Sequence, residues 1–162
     1  MATIRANCFD ASALVKVYVD EPCSPLVRDY FNHRSATKYS TPFCFYEALN
    51  ILKSKWKYQG QIDENRYRQA CFSLVAWYGA SSRHVRDVEL TAPETLGEVL
   101  RLAEKHGLDV SDAFQLHSVK AGYFSHLVNR SKTLLVTADI ALAEAARAED
   151  LLVWNVLNEP EP

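Results

Sequence analysis

Four acidic residues lie where a folded chain can bring them into one crevice: Asp10, Glu47, Asp112 and Asp139. Asp10 and Asp139 each follow a short apolar run that is typical of a buried strand, whereas Glu47 and Asp112 lie near the starts of two helical patterns. Carboxylates held together repel one another, and a divalent cation between them removes the repulsion. Taken singly, each acid also fits a helix cap or an exposed helix position.

Oxygen ligands of this kind favour Mg²⁺ or Mn²⁺, and the lack of a Cys and His cluster in the sequence disfavours zinc. Such an ion orients a phosphodiester and lowers the pKa of a bound water, which then attacks the phosphorus in line. The four acids therefore predict a metal-dependent phosphodiester hydrolase, and the sequence leaves open whether it uses one ion or two.

The elements that must position these acids alternate between strands and helices. Strands are predicted at Ile4 to Phe9, Lys38 to Thr41, His84 to Leu90, Thr133 to Val136 and Leu152 to Trp154. Helices are predicted after Asp10, from Ser24 to Asn32, from Phe43 to Gly60, from Asp63 to Gly79, from Pro93 to Gly107, from Ser111 to Phe124 and from Ile140 to Ala148. This alternation predicts an α/β fold with three layers, α/β/α, around a central, mostly parallel sheet.

In an open parallel sheet, ligands bind outside the carboxyl ends of the strands. Asp10 and Asp139 both map to that edge, and Glu47 and Asp112 face the same crevice if their helices start on that side. Ser111 is expected to cap the helix that carries Asp112. That assignment leaves Asp109 in the preceding loop, as a weaker candidate for metal contact.

The composition predicts a single domain over residues 1–157 and a flexible tail over 158–162. The chain has 162 residues, of which 48% are hydrophobic, and this is enough for a core without disulfides. Its four cysteines are spaced too widely for a CxxC pair, so buried thiols are expected. Without a secretion leader or a long apolar segment, the expected location is the cytoplasm, with no membrane contact.

The formal net charge of −2 argues by itself against a nucleic-acid partner. However, a cluster of metal-binding carboxylates would mask basic residues elsewhere, and its metal would restore positive charge at the site. The densest basic stretch is interleaved with Trp56 and Tyr58, and it fits either an RNA-binding surface or a solvated helix face. Its members are Lys53, Lys55, Lys57, Arg66 and Arg68.

Four short motifs resemble those of PIN domains, in particular the toxin ribonucleases of VapBC toxin–antitoxin pairs. The first reads Phe9-Asp10-Ala11-Ser12-Ala13-Leu14-Val15-Lys16 and continues to Asp20-Glu21-Pro22. The second reads Tyr46-Glu47-Ala48, the third Ser111-Asp112-Ala113-Phe114-Gln115-Leu116-His117, and the fourth Thr137-Ala138-Asp139 with Leu142-Ala143. The resemblance extends along almost the whole chain, although the long aromatic-rich region from Trp56 to Tyr78 departs from many relatives.

The resemblance implies a PIN-like fold and an Mg²⁺-dependent endoribonuclease, the toxin of a toxin–antitoxin system. The four acids would be the metal ligands, directly or through water, and the hydroxyls of Ser12 and Thr137 would hold the carboxylates or the metal-bound water in place. RNA would be the substrate, and the protein partners would be a small antitoxin and a second copy of the chain in a homodimer.

Two other functions stay open at this point. A housekeeping PIN nuclease that matures stable RNA would carry the same acids, and the absence of a short antitoxin-like reading frame upstream would favour it. A non-catalytic binding module that kept the fold is the other alternative. Retention of all four acids speaks against the latter, because a scaffold gains nothing from a cluster that repels itself.

Overall fold

The first strand and helix meet at Asp10. The computed structural model describes residues 4–34, 36–81, 91–122, 125 and 132–162. Strand β1 spans Ile4–Phe9 and helix α1 spans Ala11–Tyr18. Asp10 adopts an extended backbone between them and accepts a hydrogen bond from the backbone N–H of Ser12, so it caps the helix. The predicted strand-to-helix junction is therefore confirmed.

The remaining elements keep the predicted alternation. In chain order they are α2 (Ser24–His33), β2 (Thr37–Tyr39), α3 (Pro42–Lys57), α4 (Glu64–Ser81), α5 (Pro93–His106), α6 (Val110–Ala121), β3 (Lys132–Thr137), α7 (Ile140–Ala148) and β4 (Leu152–Asn155). Strand β2 begins and ends slightly earlier than predicted. The strand predicted at His84 to Leu90 and the helix position of Phe124 lie outside the described residues.

Local sequence signals explain most of the helix boundaries. Proline lies in the first turn of three helices, where its missing N–H costs nothing: Pro25 in α2, Pro42 in α3 and Pro93 in α5. Thr41 caps α3 by accepting a hydrogen bond from the N–H of Cys44. Gly107 ends α5 with a φ of 65°, a left-handed conformation that glycine adopts without strain.

The start of α6 differs from the prediction, because Asp109 and not Ser111 caps this helix. The Oδ1 atom of Asp109 accepts hydrogen bonds from the N–H of Asp112 (2.9 Å) and from the hydroxyl of Ser111 (2.8 Å). Asp is as good an N-cap as Ser, and a cap at position 109 adds Val110 to the helix. Asp112 consequently lies in the first turn of α6, directly above its cap.

The four described strands form one sheet in the order β2-β1-β3-β4, and every pair is parallel. β1 and β3 are the two inner strands, and Phe9 lies opposite Val136 in their register. The N–H of Asp10 continues this pairing by donating to the carbonyl of Val136 (2.9 Å). The two predicted strand-end acids, Asp10 and Asp139, therefore leave neighbouring strands at the same edge of the sheet.

Helices cover both faces of this sheet, which confirms the α/β class and the three layers. On one face, Phe9, Leu134 and Val136 pack against α1, α2, α3 and α4. On the other face, Ala6, Cys8 and Leu135 pack against α5, α6 and α7. Alternate residues of each strand point to opposite faces, so both helical layers share one short set of strands. None of the described helices has the length and hydropathy needed to cross a membrane.

The segment 158–162, expected to be a flexible tail, makes contacts with the end of the sheet. The carboxylate of Glu159 accepts a hydrogen bond from the N–H of Asn155 (2.9 Å) and pairs with Arg147. The indole N–H of Trp154 donates to the carbonyl of Glu159 (3.2 Å), and Glu161 pairs with Arg34. Flexibility of this segment in solution stays a prediction.

Candidate functional site

Asp10 is at the centre of a hydrogen-bond network that joins two strand ends. Its Oδ2 accepts from the N–H and the hydroxyl of Ser12 (3.2 and 2.5 Å) and from the hydroxyl of Thr137 (3.0 Å). The two hydroxyl oxygens in turn accept from the backbone, Ser12 from the N–H of Ala138 and Thr137 from the N–H of Asp139, both at 2.9 Å. Ser12 and Thr137 thus hold Asp10 and tie the β1–α1 junction to the β3–α7 junction.

Asp139 caps α7 with one carboxylate oxygen, and its other oxygen is available for a ligand. Its Oδ1 accepts a hydrogen bond from the N–H of Leu142 (2.9 Å). Its Oδ2 receives no hydrogen bond from the part of the chain that the structure describes. A carboxylate has two oxygens and several lone pairs, so the capping role expected for a lone acid and a ligand role are compatible at this residue.

Asp112 carries the most strongly perturbed carboxylate of the four. It is half-buried, and no described residue donates a hydrogen bond to its side chain. Burial raises the pKa of Asp112 to about 7, and the charges of Asp10, Asp109, Asp139 and Glu47 act in the same direction. The four predicted acids therefore lie close enough together to repel one another, as the sequence predicted.

Glu47 enters the same cluster from α3, on the opposite helical layer. Burial raises its pKa, and the charges of Asp10, Asp109 and Asp139 raise it further, while the hydroxyl of Ser111 acts in the other direction. Its Oε2 is buried and has no hydrogen-bond partner among the described residues. A buried acceptor without a partner is rare in proteins and points to a missing water or ion.

A fifth acid, Asp109, belongs to this cluster, although it was predicted only as a weaker candidate for metal contact. Its charge acts on both Asp112 and Glu47. Because Asp109 caps α6, its position one turn before Asp112 is fixed by the helix. The spacing Asp-x-x-Asp at a helix start was the signal that could have identified it.

The donor set fits a hard divalent cation that keeps part of its water shell. Within the described residues no three His, Cys, Asp or Glu side chains are arranged to hold a metal ion as they stand. Mg²⁺, however, commonly binds through one or two carboxylates and retains several waters, so it needs no closed protein cage. The all-oxygen acids, their mutual repulsion and the unpartnered Oε2 of Glu47 are the features that fit such an ion.

Sequence reasoning identified neither Cys44, a neighbour of Asp10, nor Gln115, which bonds to Cys44, as part of the site. The Sγ of Cys44 lies 3.5 Å from the Oδ1 of Asp10, and the side chain of Gln115 is bonded to the same thiol. Burial and the charge of Asp10 raise the pKa of Cys44 well above its ordinary value, so the group is a neutral thiol. All four cysteines are free thiols, as expected. Cys8 and Cys44 are buried, but Cys23 and Cys71 are partly exposed, so the expectation of buried thiols is wrong for these two.

The basic residues proposed for RNA differ in their exposure and in their partners. Lys53 and Lys57 are exposed one turn apart on α3, and the ammonium of Lys57 lies 5.2 Å from the ring centre of Trp56. Lys55 is instead buried, paired with Glu21 and hydrogen-bonded to Gln61 (2.8 Å).

Two arginines complete that set. Arg68 pairs with Glu64 on the surface of α4. Arg66 lines a cavity of about 390 Å³ that also includes Arg28, Tyr18 and Phe72. Among these five basic residues, only Lys53 and Lys57 are therefore exposed and without an acidic partner in the described part of the chain.

The fold and the site define an α/β/α protein with a carboxylate cluster at the carboxyl edge of a parallel sheet. It is similar in structure to PAE2754 from Pyrobaculum aerophilum, with a TM-score of 0.59 and 23% sequence identity over 94% of this chain and 92% of that chain. At this identity the similarity is one of fold. No protein-family model matches the chain, and no curated protein matches it significantly.

Proposed function

We propose that this protein is an Mg²⁺- or Mn²⁺-dependent endoribonuclease that hydrolyses phosphodiester bonds. The observation that carries the proposal is the carboxylate of Asp112, which is half-buried, receives no described hydrogen bond and is surrounded by the charges of four other acids. Repulsion of this kind costs stability unless a cation offsets it. Proteins keep such destabilising clusters at functional sites, where carboxylates with shifted pKa values are concentrated.

The roles of the individual side chains follow from their bonds. Asp112, Glu47 and Asp139 would hold the ion through oxygens that no described group occupies, and Asp10 would use Oδ1, since its Oδ2 already accepts three hydrogen bonds. Ser12 and Thr137 hold the carboxylate of Asp10 in its orientation through these hydrogen bonds. When bound, the ion supplies charge for the phosphate oxygens and lowers the pKa of an attacking water.

The finer proposal is that this nuclease is a PIN-like toxin of the VapC type. Its support is the resemblance of the four motifs, with the acids in the family's order. A cytoplasmic location, a homodimer and a small antitoxin partner are parts of the same proposal. Growth arrest on expression, relieved by Asp112→Asn and by the product of a short reading frame directly upstream, is the expected result. Expression without any growth effect would favour the housekeeping nuclease.

RNA cleavage tests the chemistry directly. Wild-type protein with Mg²⁺ or Mn²⁺ is expected to cut a labelled RNA, and both EDTA and the substitutions Asp10→Asn and Asp112→Asn are expected to abolish the cutting. Asp29→Asn is the matched control, because Asp29 is an exposed acid on α2 that pairs with His33. Cleavage that persists in EDTA or in both site variants would refute the proposal.

A non-catalytic binding module is the second candidate, and one observation favours it. Among the described residues no group of three potential ligands is already arranged around a metal position. Calorimetry separates the two functions: the nuclease requires Mn²⁺ binding that Asp112→Asn weakens, whereas a well-folded wild-type protein that binds no Mn²⁺ would favour the module.

A further inference from the structure

Three fully buried side chains form a polar chain beneath the acidic cluster, and we call it the thiol–amide clamp. The amide nitrogen of Gln115 donates to the Sγ of Cys8 (3.0 Å). The thiol of Cys44 donates to the amide oxygen of the same glutamine (3.1 Å). All three residues are 0% exposed, so the clamp links β1, α3 and α6 inside the protein.

Each member of the clamp lies two or three residues along the chain from one acid of the site. Cys44 precedes Glu47 by three residues on α3, and Gln115 follows Asp112 by three residues on α6, so each pair shares a helix face. Cys8 precedes Asp10 by two residues, which places both on one side of the extended backbone. The clamp therefore joins the three elements close to the points where they present carboxylates.

The clamp also touches one acid directly. The Sγ of Cys44 lies 3.5 Å from the Oδ1 of Asp10. Because the Oδ2 of Asp10 is already filled by Ser12 and Thr137, this thiol is the described neighbour of the oxygen that remains for a ligand. A shift of Cys44 would consequently alter the surroundings of that oxygen.

Stability alone does not account for a glutamine at this position. A buried amide loses its water, and both of its partners here are sulfur atoms, which are weak donors and acceptors. An apolar side chain of similar size would avoid the loss of hydration, and replacing both partners of a buried bond by apolar groups is often nearly neutral for stability. The amide instead fixes the geometry, because its nitrogen binds Cys8 and its oxygen binds Cys44 on opposite sides.

We propose that Gln115, Cys44 and Cys8 are positioning residues that set the separations of Asp10, Glu47 and Asp112 for a divalent ion. This inference rests on the proposed function, since it assigns the clamp to the same metal site. It assigns no chemical step to the clamp, which acts through the three acids.

Gln115→Met removes both hydrogen bonds while keeping an unbranched side chain of similar length. Mn²⁺ titrated into the metal-free variant is expected to bind about 10- to 100-fold more weakly, the range seen when groups behind metal ligands are removed. The melting temperature is expected to stay close to that of the wild type, and saturating Mn²⁺ is expected to restore kcat on RNA, because all ligands are intact. Ser118→Ala is the control on the same helix: its hydroxyl is buried without a described partner.

The cysteine provides an independent pair of variants if Gln115→Met does not fold. Cys44→Ser keeps a donor and Cys44→Ala removes it, so the alanine variant is expected to lose more Mn²⁺ affinity than the serine variant. Cys71→Ser on α4 controls for the loss of a thiol and is expected to leave the affinity unchanged. An Mn²⁺ affinity within twofold of wild type in folded Gln115→Met, or equal affinities in the two Cys44 variants, would overturn the inference.

Failure of the proposed function can be told apart from failure of the clamp. If wild-type protein binds no Mn²⁺, the metal-dependent function falls. Metal-free crystal structures of wild type and Gln115→Met then decide the geometric claim. Carboxyl carbons of Asp10, Glu47 and Asp112 that move apart by about 0.5 Å or more would support the clamp, and unchanged positions would refute it.

Discussion

At the scale of the residue, the site depends on carboxylates whose two oxygens have different tasks. Asp10 caps α1 and Asp139 caps α7, each through one oxygen that accepts a backbone N–H. Asp112 has no such task, and its backbone N–H is itself capped by Asp109. Asp112, whose carboxylate receives no described hydrogen bond, is also the acid whose pKa is raised to about 7. A raised pKa of this kind is typical of a carboxylate at a functional site.

Asp112→Asn is expected to stabilise the metal-free protein at neutral pH while it removes the proposed nuclease activity. The folded-state pKa of Asp112 is raised from 3.8 to about 7, so folding favours its protonated form. Its contribution to stability is therefore complete below pH 3.8 and is lost as the pH rises through about 7. Thermal unfolding in EDTA should show little difference between variant and wild type at pH 4 and a melting temperature a few °C higher for the variant at pH 8.

Asp29→Asn supplies the comparison for this experiment, since it makes the same chemical change at an exposed position. It is expected to shift the melting temperature by less than Asp112→Asn at pH 8. A difference between Asp112→Asn and wild type that is the same at pH 4 and pH 8 would contradict the assignment of an unfavourable charge to Asp112.

At the scale of the element, two hydroxyls hold the junctions of the inner strands together. Ser12 and Thr137 each donate to Asp10 and each accept a backbone N–H from the β3–α7 junction. Ser12→Ala and Thr137→Val would leave these N–H groups unpaired. Each is expected to cost about 1–3 kcal/mol in urea unfolding, the penalty of an unsatisfied buried group.

Ser73→Ala, on the exposed side of α4, is the control for the two hydroxyl variants and should change stability by less than about 0.5 kcal/mol. Equal stabilities for wild type, Ser12→Ala and Thr137→Val would mean that water replaces both hydroxyls. In that case the two side chains would not hold the strand ends together.

A second prediction at this scale concerns Glu21, a half-buried carboxylate that binds lysines of α1 and α3. Glu21 accepts from the ammonium of Lys16 (3.0 Å) and pairs with Lys55. Although burial raises the pKa of Glu21, the hydrogen bonds from Lys55 and Lys16 outweigh it and lower the pKa. Glu21→Gln is expected to cost on the order of 3 kcal/mol, because two poorly solvated ammonium groups lose their partner.

Lys55→Met tests the same cluster from the other side. It is expected to cost much less than Glu21→Gln, since the bond between Lys16 and Glu21 remains. The difference between wild type and Glu21→Gln should be present above pH 4.5, the ordinary pKa of the carboxyl, and should shrink as the pH falls below it. Chemical unfolding at pH 7 and pH 4 measures both effects, and a larger loss in Lys55→Met would contradict this order.

The sequence was sufficient for most elements, because their signals are local. The bounds of β1 and α7 agree with the apolar runs, and Gly107 ends α5 as its sequence position indicated. The cap of α6 was missed because Ser111 and Asp109 are equally good capping residues, and only the folded backbone distinguishes them. Gln115 and Cys44 were missed for another reason: their bonds join α3 and α6, and no spacing along the chain indicates that contact.

At the scale of the whole molecule, the site combines all three layers. Glu47 comes from the helical layer that packs on one face of the sheet, and Asp112 comes from the layer on the other face. Asp10 and Asp139 follow the carboxyl ends of the two inner strands. No single layer holds more than two of the four acids. Loss of packing between the layers should therefore separate the four carboxylates even when all four acids are intact.

For the proposed RNA substrate, the net charge of −2 requires that basic residues attract the phosphates locally, and Lys53 and Lys57 of α3 are exposed residues that can do so. Lys53 and Lys57 follow Glu47 by about 9 and 15 Å along the helix axis, given a rise of about 1.5 Å per residue. Lys53→Gln combined with Lys57→Gln is expected to raise KM for RNA with kcat unchanged. It should also reduce the slope of log affinity against log salt by about 1.4, because each lost phosphate contact on a single strand contributes about 0.7.

Lys132→Gln is the control for this pair of substitutions. It removes one positive charge at the amino end of β3, the opposite edge of the sheet, and should alter neither KM nor the salt slope. An equal effect of Lys132→Gln would show that the charge of the whole molecule, and not a path along α3, attracts the substrate.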